Sequence, residues 1–334
     1  MSHSINSNAL SAEDKLIFSA TKPYAREDRL KSWLQLWIIV AAVFFAYFIL
    51  YLNIDLYITA VVSIILSFLI LRFFVIYHDY VHKTILQNSV IARIIFTLFG
   101  YYILAPMSIW NRSHNHHHQN NSKLNTTGIG SYPILTKAKY LDLTPADRSA
   151  YLFARHPMTI LFGYIFTFII GMCLQSLRNN FKKHWDSLLA LALHAGAGFV
   201  IFWFGGIGLF FFVFLIPALV TSCLGAYLFY AQHNYPNAAY HQKGDWSYYK
   251  AALRSSSYMK MNRMMEWFTG NIGYHHIHHL NPAIPFYNLK KVFNEIREVR
   301  KEADTSLTAP AIWACLKLKM WDTSTGKMIS LKEV

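Results

Sequence analysis

Ten of the sixteen histidines in this 334-residue chain fall in three short stretches. The first is His78-Asp79-Tyr80-Val81-His82. The second is His114-Asn115-His116-His117-His118, and the third is His275-His276-Ile277-His278-His279. Residues three or four apart share one face of a helix. His78 and His82 therefore point the same way, as do His114, His117 and His118, and likewise His275, His278 and His279. Neutral imidazole is a good ligand for iron, zinc and copper. Three helices converging on one volume would offer it eight imidazoles. A zinc ion takes three or four protein ligands, so eight or nine suit two metals. Acids are scarce near the clusters, only Asp79 and then Glu266. The four-glutamate di-iron scheme of helical bundles is thus not available, and an all-histidine dinuclear site remains. His116 and His276 fall off the shared faces. With Asp79, they are candidates for orienting the ligands from behind. The isolated His3, His184, His194 and His241 read as ordinary polar surface or core residues.

The elements that must position these clusters are apolar. Of the whole chain 54% is hydrophobic, 16% aromatic and only 14% charged, against about 25% charged in a soluble domain. Apolar runs extend from Trp33 to Leu52, Leu56 to Ile76, Met158 to Leu177, Leu188 to Phe204 and Ile207 to Phe229, with a shorter one from Val90 to Leu104. A spanning helix needs about 20 apolar residues. The first two runs fit and form a tight hairpin across Asn53-Ile54-Asp55. Of the 31 Lys and Arg, five precede Trp33, eight lie between Tyr77 and Pro157, three lie in Arg178–Asp186 and fourteen follow Phe229. The turns at Asn53–Asp55 and Gly205–Gly206 hold none. By the positive-inside rule the N-terminus, the middle loop and the C-terminal third are cytoplasmic. Arg72 is the remaining one, expected to snorkel from its helix to the cytoplasmic surface.

Parity then limits the crossings. If Met158–Leu177 crossed, the basic run after it and the whole C-terminal third would lie outside. That run is therefore expected to dip into the membrane without crossing, as is Val90–Leu104. The expected fold is an all-α integral membrane protein with four transmembrane helices in two hairpins, membrane-embedded non-spanning helices and a cytoplasmic histidine-rich helical cap. The expected divisions are a cytoplasmic N-terminal segment (1–32), a membrane domain (33–289) and a cytoplasmic C-terminal tail (290–334), which opens as an amphipathic helix from Asn288. Residues 1–32 contain no signal-peptide core. Cys173, Cys223 and Cys315 form no pair pattern, which argues against disulfides and thiolate metal sites. The net charge of +14 fits basic residues gathered on one side of a bilayer better than nucleic-acid binding.

The boxes HDYVH, HNHHH and HHIHH resemble the three histidine boxes of the membrane fatty-acid desaturase superfamily. The likeness extends to Phe229-Tyr-Ala-Gln-His-Asn-Tyr, to Trp267-Phe-Thr-Gly-Asn-Ile-Gly-Tyr before the third box, to Asn281-Pro through Tyr287-Asn-Leu after it, and to Arg155-His-Pro. These segments are similar to the acyl-lipid branch, and the resemblance covers about 76–289. It implies nine metal ligands: His78, His82, His114, His117, His118, His233, His275, His278 and His279. Asn271 is a further candidate near the site, with a plain helix- or turn-capping role as its alternative. Two positions depart from the pattern. Phe229 stands where the acyl-CoA branch has an asparagine, and Tyr80 and Val81 fill a first box that commonly reads HDCGH.

The resemblance implies an oxygen-dependent desaturase with two iron ions as cofactor and O2 as co-substrate. The chemistry agrees, because a saturated methylene has no acidic proton and yields only to an oxidant that removes hydrogen atoms. A hydroxylase or ketolase on the same scaffold is the alternative within enzymes, and a metal transporter or metal-binding receptor the alternative outside them. The sequence shows no flavin or nicotinamide fingerprint and no fused haem domain. The electrons are thus expected from a separate ferredoxin or b-type cytochrome, and the substrate is expected to be an acyl lipid or acyl thioester. Basic cytoplasmic residues could steer an acidic carrier and also meet anionic headgroups.

Overall fold

Asp28 starts the first long helix. Its carboxylate accepts from Lys31 N, capping α2 (Arg29–Leu52). Asn53 ends that helix in the left-handed region at φ 44°, which Asn tolerates better than most residues. Asp55 then accepts from the backbone of Tyr57 and Ile58 to cap α3 (Leu56–Val81). Three residues thus make the expected tight hairpin, with a shorter helix, α1 (Ala12–Thr21), in front of it. α3 runs five residues beyond the apolar stretch read from the sequence, so His78 sits on it and His82 caps its end.

This is a computed structural model that describes residues 12–124, 130–242 and 244–334; His3 lies outside them. α4 (Val90–Tyr102), capped by Ser89, meets α5 (Met107–Asn120) at a bend of 85°. Three short helices follow: α6 (Lys137–Leu141), α7 (Pro145–Ala154) and α8 (Pro157–Leu161). A π-helical segment covers Tyr164–Leu174, then α9 covers Gln175–Asn179. The run Met158–Leu177 is interrupted at Phe162, after which helix continues unbroken through Asn179.

Helix then continues from Phe181 through Ala231 as α10 (Phe181–Leu209), a π-helical turn (Phe210–Leu215) and α11 (Ile216–Ala231). The stretch folds back on itself at Gly206, with φ 71° and ψ −177°. Facing residues prove the reversal: a Cβ on Gly198 would touch the rings of Phe210 and Phe214, and Phe202 meets Phe210 edge-on at 6.1 Å. Such φ/ψ values are nearly exclusive to glycine. A Cβ on Gly206 would meet nothing within 4 Å, so only the backbone term opposes substitution. Gly206→Ala is expected to cost about 1–3 kcal/mol, visible as a lower Tm in detergent; an unchanged Tm would mean that the turn relaxes freely.

Among the described residues, Arg29–Leu52, Leu56–Val81 and Phe181–Ala231 are long and apolar enough to cross a membrane. Their outer faces expose Phe44, Phe45, Phe48, Phe199, Trp203 and Phe204. A soluble surface rarely carries so much contiguous apolar area. The chain is thus a mostly helical membrane protein. Inside, α3 packs between α2 and α11, and its buried side includes Leu66, Ile70, Phe73 and Tyr77.

Arg72 does not snorkel. It is buried, its guanidinium donating to Trp267 O and to Gln35 Oε1 and lying 4.2 Å from the Trp267 ring. The C-terminal third folds over the end of α3 and supplies a carbonyl and an aromatic face, so the cation gains partners without reaching water.

That third contains α12 (Tyr248–Ser255), β1 (Met259–Lys260), α13 (Arg263–Phe268), α14 (His275–Leu280) and α15 (Phe286–Glu295). It ends with β2 (Thr305–Ser306), α16 (Ala309–Lys317), β3 (Leu318–Asp322) and β4 (Lys327–Ser330). β1 pairs parallel with β2 and β3 antiparallel with β4. The all-α expectation is corrected here, since two small sheets join the helices. The residues after 289 are also bound to the body: Trp321 N donates to Leu135 O, and Tyr151 Oη to Lys319 O.

Candidate metal centre

Four segments bring histidines to one place: the end of α3, α5, the residues just after α11, and α14. The nine histidines His78, His82, His114, His117, His118, His233, His275, His278 and His279 form two neighbouring groups. His78, His82, His114, His118 and His278 offer five nitrogens within 4.8 Å of one another, and His117, His233, His275 and His279 offer four. The groups touch, with the rings of His118 and His279 stacked at 4.2 Å.

For eight of the nine the inner atom is Nε2. His78 and His114 present theirs 2.8 Å apart, His118 and His114 3.1 Å, and His278 and His118 3.1 Å. In the second group the separations are 3.0 Å for His117–His233, 3.2 Å for His117–His279, 2.9 Å for His275–His233 and 3.1 Å for His279–His275. Nitrogens at about 2.1 Å from one ion and at right angles about it lie ~3 Å apart. These spacings match the edges of a coordination polyhedron. Two tautomers are fixed from behind. His233 Nδ1 lies 3.0 Å from the Ser255 carbonyl, which only accepts, so Nδ1 carries the proton and Nε2 a lone pair. His78 Nδ1 faces Asp79 Oδ1 at 3.2 Å in the same sense. Lone pairs aimed at one another in a buried site are satisfied by a cation, and the residues fit a two-metal group.

Electrostatics keeps seven of the imidazoles in their ligating form. Burial first, then neighbouring imidazoles, hold His114, His117, His118, His275, His278 and His279 well below the usual histidine range. Burial lowers His233 to about 4 against the opposing pull of the Ser255 carbonyl. Burying a charge next to other charges is costly, so the neutral form, which binds metal, persists at neutral pH.

The remaining sequence candidates divide. Asp79 supports the site from two sides, taking His78 on Oδ1 and the backbone N–H of Phe286 on Oδ2 at 2.7 Å. His276 faces away, donating from Nε2 to Val299 O at 2.9 Å; it ties α14 to the segment after α15. Asn271 adopts φ 59° and donates to Phe286 O, a turn role outside the imidazole groups. His116 is half-buried and belongs to neither group. Glu266 bonds Tyr274 Oη and Lys290.

Two contributors escaped the sequence. Trp110 stacks on His114 at 5.0 Å and 13°; its position one helical turn before His114 was a usable signal. The Ser255 carbonyl left none, because any residue supplies a carbonyl. Phe229, at the departing position, packs its ring 5.1 Å from His117.

His114, Trp110 and Phe229 also line a cavity of about 800 Å³ between α3, α5, α11 and the π-helical segment. Its other walls include Ile70, Phe74, Phe168 and Ala226. The volume is within the 300–1,000 Å³ typical of small-molecule sites.

A family model described as "Fatty acid desaturase" matches residues 55–310. The chain belongs to the fatty acid desaturase family. The relatives agree. A protein of Bacillus subtilis (strain 168) named fatty acid desaturase is 29% identical over 285 residues, covering 81% of this chain and 77% of the relative. An sn-1 acyl-lipid omega-3 desaturase (ferredoxin) of Nostoc sp. (strain 36) is 26% identical over 260 residues, covering 73% and 68%. A chloroplastic omega-6 fatty acid desaturase of Spinacia oleracea is 25% identical over 229 residues, covering 68% of this chain but 50% of its own length. As a desaturase-family member the chain is an oxidoreductase, and its histidine groups are compatible with the metal site of such an enzyme.

Proposed function

We propose that this desaturase introduces a cis double bond into the acyl chain of a membrane lipid, consuming O2 and two electrons from an external carrier. The observation that carries this reading is the convergence of nine imidazoles at the wall of an apolar cavity, with His114 belonging to both. His78, His82, His114, His118 and His278 would hold one iron, and His117, His233, His275 and His279 the other. The two irons, when bound, supply together with O2 the oxidising power that an unactivated methylene requires. The chain's own residues do the rest. The cavity holds the acyl chain by apolar contact and excludes water. Trp110 and Phe229 press the rings of His114 and His117 from the cavity side. Asp79 and the Ser255 carbonyl keep protons on the outer nitrogens of His78 and His233, leaving Nε2 free to ligate.

Four crossings in two hairpins, Arg29–Leu52 with Leu56–Val81 and the two arms about Gly206, put both termini and the histidines on one side. The basic residues assign that side to the cytoplasm. There an acidic ferredoxin or b-type cytochrome meets a positively charged surface. The likeness to an sn-1 acyl-lipid omega-3 desaturase supports a lipid substrate.

The test is expression in a host without desaturases, with a reductant system supplied, followed by mass spectrometry of lipid acyl chains with double-bond localisation. New cis unsaturation at one position is expected. A hydroxylated chain without new unsaturation would move the protein to the hydroxylase reading. Unchanged lipids from iron-loaded protein would overturn both.

A further inference from the structure

A second, smaller hollow of about 330 Å³ lies beyond the first, between Phe199, Phe202, Phe210 and Phe214, and opens on the outer face where Phe199 and Phe202 are exposed. Leu104, Tyr164 and His194 line both cavities, so these three residues form the partition between them. His194 is buried and stands about midway along the arm from Phe181 to Gly206, far from either end of a proposed span. It belongs to neither metal-binding group. A titratable side chain at such depth is rare and is a functional-site candidate by default.

Its hydrogen bonds make it rigid. His194 Nδ1 lies 2.7 Å from the carbonyl of Tyr102, the last residue of α4, where carbonyls lack intrahelical partners. A carbonyl only accepts, so Nδ1 carries the proton. Nε2 then accepts from Tyr164 Oη at 2.8 Å. Tyr102 is itself tied to Tyr47 by their hydroxyls at 2.7 Å, and the ring of Phe214 packs 4.7 Å from His194. An aliphatic side chain at this place would turn aside when pushed. A tyrosine–histidine pair with every polar group satisfied does not, because moving either ring strands polar groups in an apolar surround.

We propose that the Tyr164–His194 pair is the floor of the acyl tunnel, setting how far the methyl end extends past the metals and so the longest chain accepted. The proposal rests on the desaturase reading above and names the specificity determinant of that same site. The smaller cavity is then space that the wild-type protein denies to substrate. Chains too long for the larger cavity cannot seat their reacting carbons at the histidines.

The experiment feeds wild-type and variant proteins acyl chains of graded length in the desaturase-free host and reads the unsaturated fraction of each length, with iron content as the folding control. Tyr164→Ala is expected to join the cavities and extend product formation to longer chains, the preference rising about fourfold for each additional methylene buried. Adding Ala195→Phe, which refills the smaller cavity, is expected to restore the wild-type limit. Ala218→Phe, on the wall of the larger cavity one turn beyond Phe214, is expected to shift the limit to shorter chains. A wild-type protein that makes no double bond sinks the parent reading. An active wild type whose iron-loaded Tyr164→Ala variant keeps the wild-type length profile sinks the floor alone, whatever Ala218→Phe does. If Tyr164→Ala fails to load iron, Ala218→Phe decides by itself, and an unchanged profile there overturns the proposal.

Discussion

His117→Ala is expected to abolish unsaturated product and to leave the protein with iron in only one of its two groups. His117 belongs to the smaller set, where it contacts both His233 and His279 through Nε2. Removing it leaves three nitrogens there, and the cavity it opens faces an apolar ring, Phe229, that supplies no substitute donor. His82→Ala acts on the set of five and leaves four, so its iron loss is expected to be smaller. The order His117 worse than His82 follows from the nitrogen count alone. Loss of a supporting partner such as Asp79 typically costs about 10–100-fold in metal affinity; loss of a ligand from the four-nitrogen set is expected to exceed that. Iron per protein after purification, with product analysis of the same samples, decides. Full iron and undiminished product in His117→Ala would remove His117 from the metal centre.

The contrast between these positions shows why part of the site was legible in the sequence. Spacing of three and four residues is a local property, so His78 with His82 and His275 with His278 and His279 announce a shared face wherever the helices stand. The Asn53–Asp55 turn was legible for a similar reason: only three residues separate two long apolar runs. His233 has no local partner at such spacing, and only its wider likeness to a known segment pointed to it. What no local pattern carried is what depends on distant contact. Arg72 looked like a surface-seeking cation because its partner carbonyl, Trp267 O, lies 195 positions away. His194 looked ordinary because its bonds run to Tyr102 and Tyr164 on other elements. The β3–β4 hairpin was missed because Leu318 through Ser330 mixes apolar and charged residues without the long alternation that marks a strand pair.

Arg155 makes the same point energetically, and Arg155→Met is expected to lose on the order of 3 kcal/mol of stability. The guanidinium is completely buried, and among the described residues no carboxylate pairs with it. It donates instead to neutral groups: Pro133 O at 2.8 Å, Tyr230 Oη at 3.2 Å, Leu318 O at 3.3 Å and Asn234 Oδ1. Lys319, also buried, donates to the Arg155 carbonyl at 2.6 Å, and burial with the neighbouring guanidinium lowers it to about 8. Two effects oppose each other on substitution. Methionine removes a buried charge whose desolvation is costly, which by itself favours the variant. It also strands acceptors. Leu318 O still receives Tyr230 Oη, but Pro133 O and Asn234 Oδ1 lose their donor, at about 1–3 kcal/mol each. The stranded acceptors win if the surrounding loops cannot reach water, and these loops join the middle segment, the end of α11 and the β3–β4 hairpin at one point. Asn234 follows His233 directly, so loosening it frees a ligand of the four-nitrogen group. Thermal unfolding in detergent and iron content should therefore fall together, with Arg155→Lys less affected because it keeps the charge and one donor position. A variant with wild-type Tm and both irons would show that the buried cation is replaceable and that His233 is held without help from Arg155 and Asn234.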